Sequence, residues 1–370
     1  MAGNSAPPDN QSEQLSIPAI CQDLEIEDLR FVPDHLIKQW YFYTSSERLV
    51  ILVFYPILFL FGLIGNLTFL LIVVKIPSMQ TFTNIYLANL AVADILFILT
   101  STYNIFCGFL ISPTIKTWPY FSSAGCTTVT GGIYLSLYSS TFLILLVSTE
   151  RYLAICRALK HRLMASKERT TKLVIQAWIA GTLCTLPVAP HFGKLTKKCV
   201  LWPDTEDYSG AQMVLGSCVP AGPFFEYIPF VLEPIPFVVC FSIISVLYYH
   251  IIKKLQARSQ GNLAAESASF DQSATKARNR VAVLLIVTAA VYFLCILPYY
   301  TTRLNDGILA MTDQRVGYKL NTAQHGIILQ TVMGLGVINS IINPVIYSIT
   351  NPRYRKAFID VFTCGFRNEH

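Results

Sequence analysis

The sequence predicts an all-α fold: a bundle of seven membrane-crossing helices followed by a short amphipathic helix on the membrane surface. Three observations predict it. Of 370 residues, 53% are hydrophobic and only 14% charged, against roughly 25% charge in a soluble domain. Seven stretches are long, apolar and nearly free of charge: 49–74, 85–109, 127–147, 173–188, 227–252, 281–302 and 327–349. Lys and Arg, finally, divide unevenly between the two sides that these stretches define. A helix needs about 20 apolar residues to cross a hydrocarbon core of about 30 Å. Backbone amides have no water to bond there and must pair within the segment, and no alternating pattern points to a barrel.

Charge sets the orientation. With the N-terminus outside, the inner segments carry 18 Lys/Arg against 6 Asp/Glu and the outer ones 10 against 14, leaving Asp94 and Glu233 within spans. That is the positive-inside pattern. The formal charge of +6 sums a basic inner side and a mildly acidic outer one, so it implies no nucleic-acid partner.

Three regions follow: an extracellular tail over 1–48, a seven-span domain over 49–349, and a cytosolic surface helix with a short tail over 350–370. The tail is polar and acidic, with Asp23, Glu25, Glu27 and Asp28 close together. No basic region followed by an apolar core and a small-residue cleavage site opens the chain, so span one is expected to act as its own signal. Asn10-Gln11-Ser12 is a glycosylation acceptor pattern on that tail; Asn66-Leu67-Thr68 repeats it inside a span, where it should be unused. The fourth span is the shortest. The long outer insertion, 190–226, joins spans four and five. The inner stretch 253–280 is polar, contains Ser, Ala and Gln, and reads as a flexible loop. After span seven, Tyr354, Phe358 and Val361 share one side of a helix flanked by Arg353, Arg355 and Lys356, which should lie along the inner leaflet. Cys364 just beyond is a palmitoylation candidate, with an unmodified cysteine as the alternative.

Disulfides belong on the oxidising side. Cys126 at the outer mouth of span three, with Cys199 and Cys218 in the outer loop, qualifies. Cys199 follows Trp178 by only 21 residues, which leaves little chain to finish span four and return, so Cys126–Cys218 is favoured. Cys199 remains the alternative partner, because spacing alone does not give connectivity. Under the first pairing, Cys21–Cys199 could form as well.

Signatures in almost every span then stand in order: Gly65-Asn66, the run Leu87-Ala88-Asn89-Leu90-Ala91-Val92-Ala93-Asp94, Cys126 placed 25 residues before Arg151, Glu150-Arg151-Tyr152, Trp178, Pro298 after Cys295, and Asn343-Pro344-Val345-Ile346-Tyr347. In this order and register the chain resembles the rhodopsin-like G-protein-coupled receptors over roughly 45–364. Trp178 with Pro187, and Ile244-Ser245-Val246-Leu247-Tyr248-Tyr249, narrow the likeness to receptors of the neuromedin U, ghrelin and thyrotropin-releasing-hormone group.

The resemblance implies roles. It implies a plasma-membrane receptor that binds an extracellular neuropeptide and activates a heterotrimeric G protein, of Gq type by the narrower likeness, with arrestin as a further partner and no catalytic group. A mid-membrane Asp is costly, by about 3 kcal/mol on insertion scales. Asp94 therefore needs polar company, and Ser140, Asn339, Ser340 and Asn343 match positions that gather around a sodium ion in the family; a neutral hydrogen-bonded Asp94 is the alternative. Glu150 is expected to hold Arg151 at rest. Freed, Arg151 would meet Tyr248, Tyr347 and the transducer, with Leu159 as the apolar knob that docks on it and Pro298 and Pro344 as bends about which inner ends swing. Gly131, Gly132, Gly334 and Gly336 read as sites of close helix packing.

The pattern departs from the family in places. Ile296 occupies the span-six position usually held by Trp, Tyr292 replaces the usual Phe, Cys240 stands at the usual span-five proline, and prolines occur at Pro234 and Pro236 instead. Span five should distort about one turn nearer the outside. Arg278 replaces an acid that ties the arginine down in some relatives.

Residues also narrow the ligand. Ile133 stands where amine receptors carry Asp, and 327–349 holds no Lys for a Schiff base. The outward pocket offers Tyr134, Tyr138, Glu233, Tyr299, Tyr300, Arg303, Gln324, His325 and Gln330, which suits a peptide terminus. Arg303 is expected either to grip a carboxylate or carbonyl of the ligand or to face Glu233. Two rivals remain: a non-signalling scavenger or constitutive receptor of the same fold, given Ile296, and a membrane transporter, for which no corresponding halves are found.

Overall fold

A computed structural model describes the backbone of residues 18–117, 122–262, 269–311, 322–350 and 352–362; the side chains of 258–262, 269–280, 309–311, 322–330, 350 and 361–362 lie outside that description. Asn10 and Cys364 fall outside it, and so do the side chains of Arg278, Gln324, His325, Gln330 and Val361.

The helices run in chain order from α1 (Asp34–Tyr41) and α2 (Ser45–Leu49), which passes through a π-helical turn (Val50–Phe54) into α3 (Tyr55–Lys75). Then come α4 (Phe82–Ile111), α5 (Ser123–Cys156), α6 (Ala158–Met164) and α7 (Lys167–Thr185). Span five is α8 (Phe224–Leu232) and α9 (Pro234–Asn262); α10 (Ser269–Met311), α11 (Thr322–Thr350) and α12 (Pro352–Phe362) complete the chain. Six of the described helical segments are long and apolar enough to cross a membrane. The fourth span, α7, is the polar exception, packed against α4 and α5.

Its bounds correct the predicted 173–188. Ser166 caps α7 by accepting a hydrogen bond from the Arg169 amide, so a charged first turn precedes the apolar run. Leu186 keeps helical backbone and its amide still bonds the Thr182 carbonyl, but Pro187 has no amide hydrogen to continue the ladder, so the helix ends at Thr185. At the start of span one, Thr44 and Glu47 form a reciprocal capping box, which satisfies two orphan amides. Span five breaks after Leu232, at Glu233, immediately before Pro234.

The predicted flexible loop over 253–280 is also corrected. Helix α9 continues to Asn262 and α10 begins at Ser269, with 263–268 outside the described residues, since Lys, Gln, Arg and Ala sustain a helix beyond the hydrocarbon. Between spans, polar ties replace the hydrophobic effect, which has no purchase among lipid tails. Asn66 donates to the Ser340 carbonyl across spans one and seven at 2.9 Å, and Trp178 Nε1 donates to Asn89 at 3.2 Å. A Cβ on Gly132 would fall 2.5 Å from Thr100 Cγ2, and one on Gly336 would fall 2.8 Å from Phe97 Cζ. Those two glycines permit close approach; Gly131 and Gly334 have no comparable contact.

Beyond the apolar spans, the tail is folded from residue 18 onward. Strand β1 (Glu25–Asp28) pairs parallel with β2 (Lys194–Leu201), which pairs antiparallel with β3 (Val214–Val219). A second core of Leu29, Ile37, Tyr41, Ile115, Val200, Tyr208 and Leu215 lies among these elements and α1. Two disulfides staple the cap, Cys21–Cys199 and Cys126–Cys218, with Cα separations of 5.5 and 5.9 Å. Both belong to the favoured pairing scheme. At the other end, α12 packs against α11 and α3. Tyr354 is buried against Phe69 and Tyr347, and its hydroxyl bonds Asn84 Oδ1.

Candidate functional site

At the outer end, α5 contributes Tyr134 and Tyr138, stacked with ring centroids 6.3 Å apart, and α10 contributes Tyr299, Tyr300 and Arg303. Glu233 enters from the break between α8 and α9, so the prolines that interrupt span five also place its carboxylate. All six side chains are buried. Arg303 Nε donates to Glu233 Oε2 at 3.3 Å, its guanidinium carbon lies 5.0 Å from the Phe230 ring centroid, and its Nη1 is 3.9 Å from Asp306 Oδ2. Of the two expectations for Arg303, the geometry holds the pairing with Glu233. Asp306 was not anticipated; its spacing of one turn from Arg303 was the available signal.

This ion pair is incompletely satisfied. Glu233 Oε1, Arg303 Nη2 and the Tyr138 hydroxyl are buried without a hydrogen-bond partner, and such atoms cost stability unless something bonds them. The arrangement can offer an acceptor, a charged donor and a phenol to a polar group entering among aromatic rings. Nearby, His191 sits in the outer loop with Nδ1 2.9 Å from the Phe225 carbonyl oxygen, and burial pushes its pKa down. The Gln330 side chain lies outside the described residues.

Midway through the bundle, Asp94 is buried and accepts from Asn343 Nδ2 at 2.8 Å. Asp94, Ser136, Ser140, Asn339 and Ser340 line a cavity of about 10 Å³ together with Ile296 and Tyr292, a volume near that of one water-sized probe. Asn339 Oδ1 has no hydrogen-bond partner. Oxygen donors of this kind suit a hard monovalent cation, so Asp94, Ser140 and Asn339 fit one, whereas Asn343 turns its amide nitrogen to Asp94. Tyr292 bridges spans six and three through its hydroxyl, which pairs with Thr141 Oγ1 and lies 3.3 Å from the Leu137 carbonyl oxygen. Thr141 was not singled out from sequence.

At the end that carries Arg151 the geometry departs from expectation. Glu150 does not hold Arg151: its Oε1 is 2.6 Å from His161 Nε2 on α6. Arg151 Nε is buried without a hydrogen-bond partner. Tyr248, expected to meet the arginine once it is freed, here donates to the Leu285 carbonyl at 3.0 Å and accepts from Ser148 at 2.9 Å. Tyr347 packs on Phe69 and Tyr354, and its hydroxyl has no partner. The polar path of each tyrosine is thus satisfied locally or left open, and neither is bonded to the guanidinium. Tyr152 packs edge-on to His250 at 6.2 Å. Leu159 projects from α6 with 76% of its surface exposed. Pro298 and Pro344 lie inside α10 and α11, as the bends require. His161 was missed because a histidine beside basic loop residues has no motif of its own.

Comparison with known proteins follows this geometry. Residues 65–347 match the family described as 7 transmembrane receptor (rhodopsin family). The chain is 27% identical to the human Neuropeptides B/W receptor type 2, with 82% of this chain and 83% of the relative covered. It is 25% identical to the human Cholecystokinin receptor type A, covering 88% and 82%. The mouse Neuromedin-U receptor 2 is likewise 25% identical, covering 86% and 76%.

Proposed function

The chain belongs to the rhodopsin family of seven-transmembrane receptors, and from that premise we propose that it binds an extracellular neuropeptide and activates a heterotrimeric G protein. The observation that carries the reading is the buried Glu233–Arg303 pair with its unpartnered atoms, set among Tyr134, Tyr138, Tyr299 and Tyr300 at the end of the bundle opposite Arg151. Aromatic walls with a few convergent polar groups suit a peptide end group. A ligand that bonds those atoms better in one arrangement of spans five and six shifts the population toward it, by no more than its difference in affinity. Pro298 and Pro344 then let inner ends move, and Arg151 with Leu159 meets the transducer. The receptor sits in the plasma membrane with its N-terminus outside. Gq is the transducer that the narrower likeness favours, with arrestin as a second cytosolic partner.

Asp94, Ser140 and Asn339 would hold a sodium ion, which would neutralise the mid-membrane carboxylate. If so, sodium chloride raises the unfolding temperature of the purified receptor relative to choline chloride, and D94N removes the difference.

The function itself is tested by screening neuropeptides, amidated ones included, on transfected cells with calcium and cyclic-AMP readouts. A responding peptide should lose its signal in R151A and lose potency in R303A. Uptake of peptide without nucleotide exchange would instead favour a scavenger.

A further inference from the structure

Spans five and six do not close on each other over their whole length. Helix α9 packs chiefly on α5 and touches α10 little, and between α9 and α10 lies a groove of about 440 Å³. Its floor is buried and includes Phe237, Ile244, Tyr248, Ala289 and Phe293. Its rim is not: Leu294, Leu297 and Phe241 are 69%, 52% and 46% exposed. The groove therefore opens away from the bundle axis, toward the hydrocarbon that surrounds a spanning helix. Left empty, its floor would forfeit the dispersion contacts that a packed surface makes.

The wall has no polar atom to spare. Ser245 Oγ donates to the Phe241 carbonyl at 2.8 Å, and the Tyr248 hydroxyl donates to the Leu285 carbonyl and accepts from Ser148. An occupant is held by dispersion and shape alone. Form narrows it further. The lining runs from Phe237 to Tyr248 on α9 and from Ile286 to Leu297 on α10, about 16 Å at a rise of 1.5 Å per residue. That is about half of a hydrocarbon core of ~30 Å, the depth of the chains of one leaflet. Phe293 stands edge-on to Phe237 and Phe241, with ring planes at 64° and 71°, so the wall is ridged rather than flat. A jointed chain follows such ridges; a rigid, flat ring system does not.

We propose that this groove is a binding site for one acyl chain of a membrane phospholipid, which lies along spans five and six and braces them. The chain packs on Phe293, whose ring meets Tyr292 edge-on at 5.3 Å between centroids, and on Tyr248, which bonds spans three and six. Seated lipid thus fills the space beside the residues that fix span six against span three.

The test places the full-length receptor in phosphatidylcholine nanodiscs that include a phosphatidylcholine with a photoreactive acyl chain, and maps the labelled residues by mass spectrometry. Leu294 and Leu297 label above Phe61 of span one, which is 68% exposed but does not line the groove. The excess is about five-fold, the order that added dispersion contacts supply. A290F and S245F, which fill the groove from opposite walls, each remove the excess and leave labelling of Phe61 as it was. Equal labelling of the three residues in the wild type overturns the site without recourse to any variant, and an excess that survives both substitutions overturns it as well. A photoreactive sterol that labels Leu294 and Leu297 in preference, at equal mole fraction, overturns the choice of an acyl chain. Bracing is read separately: phosphatidylcholine added to the detergent-solubilised receptor raises the unfolding temperature more in wild type than in A290F, and equal rises overturn it.

Discussion

The outer and inner ends of this bundle are fastened in different ways. Outside, one disulfide, a three-stranded sheet and a small hydrophobic core join the tail to the loop between spans four and five, and a second disulfide joins that loop to span three. Lys116 pairs with the buried Glu47 at 3.0 Å, and Lys38 reaches Asp207 at 2.7 Å. Inside, α6 touches α5 where His161 Nε2 lies 2.6 Å from Glu150 Oε1, while Leu159 and Leu163 face outward and the Arg151 Nε has no partner. A pinned end defines a pocket; a loosely held end can change its contacts at small cost. The difference teaches that ligand selectivity and transducer engagement are built from different kinds of bond.

Removal of Cys126–Cys218 is the largest expected break in that contrast. It joins span three to β3, and loss of a native disulfide typically costs about 2–5 kcal/mol. C126A should therefore abolish most surface expression, measured by an antibody to an N-terminal tag on intact cells. C21A, which frees only the cap from β2, should reduce expression less. Similar expression of both variants would mean that the outer stitching is not hierarchical.

Next comes the buried pair. Truncating either partner of a buried ion pair leaves an uncompensated charge and costs about 3–5 kcal/mol, whereas replacing both with apolar residues of similar size is often near neutral. E233A and R303A should each depress the unfolding temperature well below that of E233L/R303M. A double variant as unstable as the singles would contradict mutual compensation.

A smaller effect comes from His191. Burial lowers its pKa below the ordinary value of 6.5, so the folded state resists a proton that the unfolded chain accepts. The contribution is fully present above about pH 6.5 and is lost as pH falls below it. Unfolding temperature should decline on acidification through that window, and H191Q should flatten the decline. An unchanged slope would move the acid-sensitive group elsewhere.

The smallest expected change is at the loose end. L163A removes an exposed side chain, so stability should stay within about 0.5 kcal/mol, while G-protein-stimulated signalling falls. A clear loss of stability would show that α6 is packed more firmly than its exposure indicates.

Much of the architecture was legible because its causes are local. Apolar length placed most spans, and charge bias set a direction for them. Motif register assigned Asn66, Asp94 and Pro298 to their spans, where the structure has them. The ends of spans were less legible: α7 starts in a charged turn and α10 begins well before its apolar run, since helix propensity continues where hydropathy stops. Periodicity put Tyr354 and Phe358 on one side of the last helix but could not show that Phe69 and Tyr347 cover Tyr354. At the candidate site, sequence listed the outer tyrosines with Glu233 and Arg303, but whether the two charges faced each other or a ligand depended on where the break in span five aimed the carboxylate.

What the sequence determined by itself was a chain that must cross the membrane as helices, with its basic loops gathered on one side. Composition and spacing suffice there, because the bilayer imposes one solution on any apolar stretch of that length. Tertiary structure alone decided the partners: Arg303 with Glu233, Asn343 with Asp94, Tyr354 with Asn84, and Glu150 with His161 rather than with its own neighbour. Those choices depend on distances of a few ångströms between residues up to hundreds of positions apart, and only the packed arrangement of helices fixes them.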